Sequence, residues 1–337
     1  MLFFIKRLLL PAAFIYSLIL KLRHYLFNSG IIKSCKFDTP IIGIGNLSFG
    51  GTGKSPLIIY LTKLLQSKGK TVAIVSRGYG RKTKGVVHCN ANHTAIEIGD
   101  EPRMYLAELD NTHIVVAERR KEGIELLLQS DDKPDVILLD DCFQHRYVTP
   151  SVLFLLTTER KPYWKDFLVP AGYLRDIKSA ASRADALVIT KITDNYNALQ
   201  KPKEWASKHT FSSKIVYEKP TNEHGQEINS NEVISFTGLA NSALFEVHLK
   251  ENYSLKKNFK FADHHYFTDA EIEEIILFGK GALTQSKFLT TLKDFSRLSD
   301  NQKSLFGQNL FTIKISTPIL EEKELIRFLT NKNILKD

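Results

Sequence analysis

The sequence motif most able to do chemistry is a glycine-rich loop that leads into a lysine and a serine. Its eight residues are Ser48, Phe49, Gly50, Gly51, Thr52, Gly53, Lys54 and Ser55. Glycines let backbone N–H groups turn toward phosphate oxygens, and a helix that follows adds a favourable partial charge at its N-terminus. We expect Lys54 to reach the β- and γ-phosphates of a nucleotide and Ser55 to ligate Mg²⁺. The usual pattern begins with glycine, where this chain has Ser48.

Two adjacent carboxylates form the second candidate site. Asp140 and Asp141 follow four apolar residues, which is typical of a buried strand that ends in acids. A phosphate-binding loop requires an acidic residue at the end of a neighbouring strand to hold the Mg²⁺ shell. An isolated Asp-Asp pair is more often a solvated turn. Its place after an apolar run, in a chain with such a loop, favours the metal-binding role.

Two charged loops acquire a functional meaning only if they lie beside the same site. Arg77 and Arg81 occur in a segment with two glycines, and Arg is suited to bidentate contact with phosphate. Asp100 and Glu101 precede a predicted helix, where acids often simply complement the helix dipole. Taken alone, each loop is more simply explained as structural.

The composition indicates a globular protein with an anionic partner. The chain has 337 residues, 43% hydrophobic and 25% charged, which is ordinary for folded domains. Lys and Arg number 46 against 37 Asp and Glu, so the net charge is +9. This excess predicts binding to nucleic acid, acidic lipid or a phosphorylated substrate. Three widely spaced cysteines indicate a reducing compartment without a disulfide framework.

The N-terminus stands out from the rest of the chain. Residues 8–20 are an uncharged run of 13 residues with Lys6-Arg7 before it and Lys21 and Arg23 after it. A spanning helix needs about 20 apolar residues, so the run is too short to cross a bilayer. A signal peptide and a helix of the first domain's core are the alternatives. The cations at both ends favour a helix that lies in the membrane interface.

Short apolar runs alternate with helical stretches over the first half of the chain. The runs lack clean alternation, as strands of a parallel sheet covered on both faces do. The pattern predicts a doubly wound, P-loop NTPase-like α/β domain with a mostly parallel sheet. The predicted strands are residues 40–45, 71–76, 113–117, 135–139, 152–156 and 186–190, and the predicted helices between them include 55–67 and 120–129.

A polar stretch at 206–231 precedes a second, smaller α/β pattern. The polar stretch contains one predicted strand at 214–218. The second pattern contains predicted strands at 233–236 and 288–291 and predicted helices at 241–250, 269–278 and 319–330. We therefore expect three parts: a membrane-associating helix (1–30), a nucleotide-binding domain (31–225) and a smaller C-terminal α/β domain (226–337).

Seven short blocks together resemble the tetraacyldisaccharide 4'-kinase family, the lipid A kinases of Gram-negative envelope synthesis. They occur in family order across most of the chain, and the family also lacks the first glycine of the loop. The blocks are residues 45–56 (Gly-Asn-Leu-Ser-Phe-Gly-Gly-Thr-Gly-Lys-Ser-Pro), 76–80 (Ser-Arg-Gly-Tyr-Gly), 99–102 (Gly-Asp-Glu-Pro), 140–145 (Asp-Asp-Cys-Phe-Gln-His), 170–175 (Pro-Ala-Gly-Tyr-Leu-Arg), 261–265 (Phe-Ala-Asp-His-His) and 293–294 (Lys-Asp).

This chain departs from the family pattern at two positions. Cys142 stands where the family usually has glycine, which affects the geometry of the loop beside the expected magnesium site. Leu292 stands where glutamate is common, which leaves the role of Lys293-Asp294 open.

The resemblance implies transfer of the γ-phosphate of ATP, with Mg²⁺, to the 4'-hydroxyl of an acylated glucosamine disaccharide 1-phosphate. It implies that the smaller C-terminal domain closes over the site. It also implies a peripheral enzyme at the cytoplasmic face of the inner membrane. The expected partners are the lipid substrate and an anionic membrane surface, with no nucleic acid and no protein partner.

The resemblance also suggests roles for individual residues. Asp100 would accept the proton of the sugar hydroxyl, and His264 would orient it or tune its basicity. The expected Mg²⁺ ligands are Ser55, Glu101, Asp140 and Asp141. Phosphate contacts are expected from Lys54 and, without individual assignment, from Arg77, Arg120 and Arg175.

Two other functions compete with a kinase. A P-loop GTPase or switch ATPase would act on protein or nucleic acid, but guanine recognition needs [NT]-K-x-D, and Thr190-Lys191-Ile192 is followed by Thr193. A basic nucleic-acid-binding module is suggested only by the net charge, and charge without a motif is a weak signal.

Overall fold

The computed structural model describes residues 8–193, 196, 200–239, 242–263, 265–280 and 286–336. The chain divides into two compact units. The first contains Met1–Ile215 together with Thr317–Asp337, and the second contains Val216–Ser316.

The described part of the first unit is built on an eight-stranded sheet with the order β3-β4-β2-β5-β1-β6-β7-β8. Neighbouring strands are parallel except for the edge pair β3 and β4. The strands are β1 Ile41–Asn46, β2 Val72–Ser76, β3 Val87–His88, β4 Thr112–Val116, β5 Val136–Leu139, β6 Val152–Thr158, β7 Ala186–Thr190 and β8 His209–Ser213. The prediction of an α/β fold with a mostly parallel sheet is confirmed.

Apolar residues on both faces of this sheet pack against helices. In β1, Ile42 and Ile44 belong to one buried cluster and Ile41 belongs to another. Burial on both faces explains why these strands read as continuous apolar runs. The helices are α1 Leu10–Asn28, α2 Lys54–Ser67, α3 Ala95–Ile98, α4 Asp100–Glu108 and α5 Arg120–Gln129.

Helix α1 has two apolar faces. Ala13, Leu20, His24 and Phe27 form a buried stripe, with spacings of seven, four and three residues that keep them on one side of a helix. Apolar side chains also cover the opposite side, and these are exposed to solvent. Within the described ranges, no helix combines the length and the apolar character needed to cross a membrane.

The second unit contains a smaller parallel sheet with the order β11-β10-β12-β13. Its strands are β10 Glu232–Thr237, β11 Ser254–Lys260, β12 Lys287–Thr291 and β13 Leu310–Ile313, and a short antiparallel pair joins β9 Val216–Tyr217 to β14 Ile315–Ser316. Its helices are α6 Ala243–Asn252, α7 Asp269–Lys280, α8 Leu292–Phe295 and α9 Asp300–Phe306.

The end of the chain returns to the first unit, which corrects the predicted division at residue 225. The second unit begins at Val216 and ends at Ser316. The last helix, α10 Glu322–Asn331, buries Leu325, Phe328 and Leu329 in a core cluster of the first unit. An amphipathic helix shows in its sequence that one face is buried, but not which core covers that face.

Candidate active site

The glycine loop and the expected acids meet at one edge of the first sheet. The loop follows β1, Asp140 directly follows β5, Arg77 follows β2 and Lys191 follows β7. Since these strands are parallel, their carboxyl ends lie at the same edge. After β1 the chain continues to β2 on one side of the sheet, and after β6 it continues to β7 on the other side. Ligands of open α/β sheets bind at such a reversal of strand order.

Hydrogen bonds with residues outside the loop fix its shape. The Asn46 side-chain amide donates to Thr52 Oγ1 at 2.7 Å, and Thr190 Oγ1 donates to the Thr52 carbonyl at 2.8 Å. The Phe49 backbone N–H donates to the Tyr173 carbonyl at 2.7 Å.

Two glycines allow the turn into helix α2. Gly50 has a φ of 98° and Gly53 a φ of 83°, a region that residues with a Cβ atom rarely adopt. Gly53 is the N-cap of α2, so Lys54 and Ser55 occupy its first turn. An N-terminus in this setting can accept an anion.

Asp141 lies between two cations. Arg175 donates to both of its carboxylate oxygens, from Nη1 to Oδ2 at 2.9 Å and from Nη2 to Oδ1. Lys54 Nζ lies 3.7 Å from Asp141 Oδ1, and Arg175 also donates to the Asn46 side-chain oxygen. Burial opposes ionisation of Asp141, but the Arg175 hydrogen bond and the Lys54 charge outweigh it and lower its pKa. Asp141 is therefore a carboxylate that balances the charges of Arg175 and Lys54.

Asp140 has a different environment. It is 4% exposed, and its Oδ2 accepts hydrogen bonds from Ser76 Oγ at 3.0 Å and from the Tyr105 hydroxyl at 3.1 Å. Burial, together with the charges of Glu101 and Asp141, raises its pKa to about 6. Its Oδ1 is buried and has no hydrogen-bond partner among the residues described.

This arrangement fits a magnesium ion. Mg²⁺ prefers oxygen ligands and usually takes only one or two carboxylates from a protein. Asp140 Oδ1 is a buried acceptor that such an ion would satisfy, and the negative charge of Glu101 acts on the same carboxyl. Ser55 hydrogen-bonds to Tyr105, which itself contacts Asp140, so the serine belongs to the same cluster.

The three predicted arginines lie in different surroundings. Arg175 is paired with Asp141. Arg120 is 3% exposed, and its Nη2 donates to the main-chain carbonyl of Asp140 at 3.3 Å, so it supports the turn after β5. Arg77 is exposed, and its positive charge lowers the pKa of Arg120, though less than burial does.

Of the predicted acid–base pair, Asp100 and His264, the structure describes only Asp100. Asp100 is the first residue of helix α4 and is 5% exposed. His264 lies outside the described residues. In the second unit, Asp294 accepts hydrogen bonds from Thr237 Oγ1 at 2.8 Å and from Arg297 Nη1 at 3.0 Å, which indicates a structural function for this carboxylate.

Cys142 is accommodated by a glycine on the neighbouring strand. A Cβ atom placed on Gly43 would lie 2.7 Å from Cys142 Sγ, so the thiol occupies space that a larger residue on β1 would fill. Burial raises the pKa of this thiol to about 12. Cys142 is therefore a packed, protonated side chain where the family usually has glycine.

Sequence reasoning missed several residues that shape the site. Asn46, Ser76 and Tyr105 have no role predicted from the sequence, although Asn46 and Ser76 lie within two of the family blocks, where strands β1 and β2 end. Lys191 was considered only as part of a guanine-reading motif. Its Nζ donates to the Gly51 carbonyl at 2.7 Å, so it supports the glycine loop instead.

Comparison with known proteins finds relatives that all belong to one family. The family model for Tetraacyldisaccharide-1-P 4'-kinase matches residues 5–333. A tetraacyldisaccharide 4'-kinase of Flavobacterium johnsoniae is 38% identical over 309 residues, 88% of this chain and 89% of the relative. One from Flavobacterium psychrophilum is 36% identical over 341 residues, 97% of each. The crystal structure of LpxK from Aquifex aeolicus in complex with ATP is 30% identical, with a TM-score of 0.80 over 97% of this chain and 99% of that one.

The raised pKa of Asp140 predicts a dependence of stability on pH when no metal is present. The folded protein binds a proton at Asp140 up to about pH 6, whereas the unfolded chain releases it near pH 4. The contribution of Asp140 to the unfolding free energy of the wild type should therefore fall by roughly 3 kcal/mol as pH rises across this interval, and Asp140→Asn should lack this component.

Urea unfolding with a chelator between pH 4 and 7 measures this difference. Asp110→Asn, at an exposed position, is the control and should follow the wild type. Identical slopes for the wild type and Asp140→Asn would show that Asp140 ionises normally in the folded protein.

Proposed function

The chain belongs to the tetraacyldisaccharide 4'-kinase family, and we propose that it transfers the γ-phosphate of ATP to the 4'-hydroxyl of an acylated glucosamine disaccharide 1-phosphate. This is the lipid A 4'-kinase reaction, a phosphoryl transfer to an alcohol. The observation that supports the proposal most strongly is that Lys54 and Arg175 both contact Asp141, next to the buried carboxyl of Asp140. The GTPase alternative is set aside, because Thr193 stands in place of the guanine-reading Asp and its N–H donates to Glu159.

Phosphoryl transfer requires positioning and neutralisation of charge more than covalent chemistry. In the proposed mechanism the glycine loop and the N-terminus of α2 bind the phosphates, and Lys54 contacts the group that is transferred. Arg175 binds a phosphate of ATP or of the substrate. Ser55, Asp140 and Glu101 would hold Mg²⁺, which when bound neutralises charge on the β- and γ-phosphates. Asp141, the fourth ligand expected from the sequence, pairs instead with Arg175 and Lys54.

The proton of the acceptor hydroxyl needs a base within reach. We assign this function to Asp100, a buried carboxyl at the start of α4, and assign to His264 the function of orienting it. Both assignments rest on the family blocks at residues 99–102 and 261–265.

The exposed face of α1 supports a position at the membrane surface. The exposed apolar residues of this face are Leu10, Phe14, Ile15, Leu18, Ile19, Leu22 and Tyr25. Together they form a contiguous apolar surface of the kind that marks an interaction site. We propose that this face enters the cytoplasmic leaflet of the inner membrane, with nearby cations at the level of anionic headgroups.

The buried face of α1 is fixed to the first unit by charged groups. His24 Nε2 lies 2.6 Å from Asp176 Oδ1, and His24 Nδ1 lies 3.0 Å from Arg146 Nη1. Arg23 donates to the Gln144 carbonyl at 2.7 Å. The helix is therefore both a part of the folded unit and the proposed membrane contact, so removing residues 1–28 would disturb both.

The nucleotide site predicts a large loss of activity for Lys54→Ala. Loss of the cation should lower kcat/KM for ATP at least about a hundredfold, because its stabilisation of the developing charge is lost. Lys63→Ala, on the same helix but half exposed, is the control. The assay is phosphate transfer from labelled ATP to the acylated disaccharide, with circular dichroism as a check of folding. Near-normal turnover by a folded Lys54→Ala variant would remove the assignment of the loop.

The proposed pair Asp100 and His264 predicts non-additive losses. Each substitution to Ala should reduce kcat severely, and the double variant should be little worse than the more damaging single one, because the residues act as a unit. The double-mutant cycle compares the rates of the wild type, the two single variants and the double variant at saturating ATP. Losses that multiply in the double variant would show that the two residues act independently.

The proposed membrane face predicts that polar substitutions on α1 release the protein from vesicles. The variant Ile15→Ser/Ile19→Ser/Leu22→Ser should sediment less with anionic vesicles at both low and high salt, because the apolar contribution is not screened. The matched control Ile96→Ser/Leu126→Ser/Leu320→Ser changes exposed apolar residues elsewhere on the first unit. Equal sedimentation of the two triple variants would remove α1 as the anchor.

A further inference from the structure

We propose that a cavity beside helix α1 binds a segment of one fatty acyl chain of the lipid substrate. The inference rests on the proposed function, because it takes the acylated disaccharide as the ligand. It adds a site for the hydrocarbon part of that substrate, next to the site for its phosphates.

The cavity lies between α1 and the segment of residues 166–178. Its volume is about 270 Å³, slightly below the roughly 300 Å³ at which pockets for small ligands begin. This volume suits a segment of a single chain, not a whole lipid. Most of the residues that line it are apolar, among them Leu10, Ala13, Phe14, Leu168, Leu174 and Ile177. A hydrocarbon chain buried here would lose contact with water without leaving polar groups unsatisfied.

The mouth of the cavity joins the proposed membrane face. Phe14 lines the cavity, is 60% exposed and belongs to the exposed side of α1. Phe167, from the opposite wall, is 55% exposed. An acyl chain can therefore pass from the bilayer into the cavity along a continuous apolar path.

The rim of the cavity carries one cation and one carboxylate. Lys178 lines the cavity, and its ammonium group donates to the Trp164 carbonyl at 2.8 Å and lies 5.4 Å from the centre of the Phe167 ring. Asp166 is also at the rim, where its carboxylate accepts N–H bonds from Phe167 and Tyr173. Backbone N–H groups already bind the Asp166 carboxylate, so Lys178 is the charged group at the rim that complements an anionic headgroup, as in a phosphorylated glycolipid.

The wall of the cavity is continuous with the phosphate site, which favours the substrate over bulk lipid as the occupant. Leu174 lines the cavity, whereas the next residue, Arg175, contacts Asp141. The Arg175 backbone N–H donates to the Leu47 carbonyl at 2.8 Å. Leu174 forms an isolated antiparallel β-bridge with Ser48 of the glycine loop. Since neighbouring Cα atoms are only about 3.8 Å apart, one lipid can place a chain on Leu174 and its sugar near Arg175.

A bulky residue in the cavity tests this assignment. Ala13 is 6% exposed and lines the cavity, so Ala13→Phe should exclude the chain. The KM for the tetraacyl disaccharide 1-phosphate in mixed micelles should rise about tenfold or more, the effect expected when a few methylenes lose their apolar site. kcat, the KM for ATP and the KM for a deacylated disaccharide 1-phosphate should not change. Ala12→Phe, the same substitution at an exposed position of the same helix that does not line the cavity, should behave as the wild type for both acceptors.

A second variant covers the case in which Ala13→Phe does not fold. Leu10→Trp changes a residue at the rim that is 41% exposed, and it should raise the same KM selectively. Equal effects of these variants on acylated and deacylated acceptors would overturn the proposal. So would weaker sedimentation of Ala13→Phe with substrate-free vesicles, which would assign the cavity to bulk lipid. If the wild type phosphorylates neither acceptor, the proposed function itself fails. If the wild type phosphorylates both acceptors and the variants match it, only the acyl site fails.

Discussion

The ion pair between Arg175 and Asp141 connects the parts of the site. The guanidinium group holds a carboxylate after β5 with two hydrogen bonds and also reaches Asn46 at the end of β1. Asn46 in turn donates to Thr52 in the glycine loop. One arginine thus links the segment before it, two strand ends and the loop. Because the side chains are largely screened from water, removing either partner would leave a charge in a poor environment.

The two neighbouring acids have opposite properties because their surroundings differ. Asp141 faces Arg175 and Lys54 and is held ionised, whereas Asp140 is buried near Glu101 and binds its proton more tightly. In such a site the ionised Asp141 balances the charges of Arg175 and Lys54, and Asp140 can bind an added cation. The two residues are adjacent in the chain. Their different properties therefore come from the strand ends that approach each side chain.

Local patterns predicted much of this fold and its site, and long-range packing accounts for what they missed. The six predicted strands of the first sheet are apolar on both faces, so their pattern was clear, and the glycine loop lies between β1 and α2 as its spacing indicated. The polar edge strand β11 was missed, because edge strands carry charged residues that resemble loops. The support that Arg120 gives to Asp140 and the packing of Phe328 in the first unit depend on tertiary contacts, which periodicity does not encode.

The proposed reaction transfers phosphate from ATP to a sugar hydroxyl, so the position of the new phosphate on the product is its sharpest test. Purified protein would be incubated with ATP, Mg²⁺ and the acylated disaccharide 1-phosphate, and the product would be fragmented in a mass spectrometer. We expect a single added phosphate on the 4' oxygen of the distal glucosamine. Hydrolysis of ATP with all of the phosphate released to water, or phosphate on another hydroxyl, would contradict it.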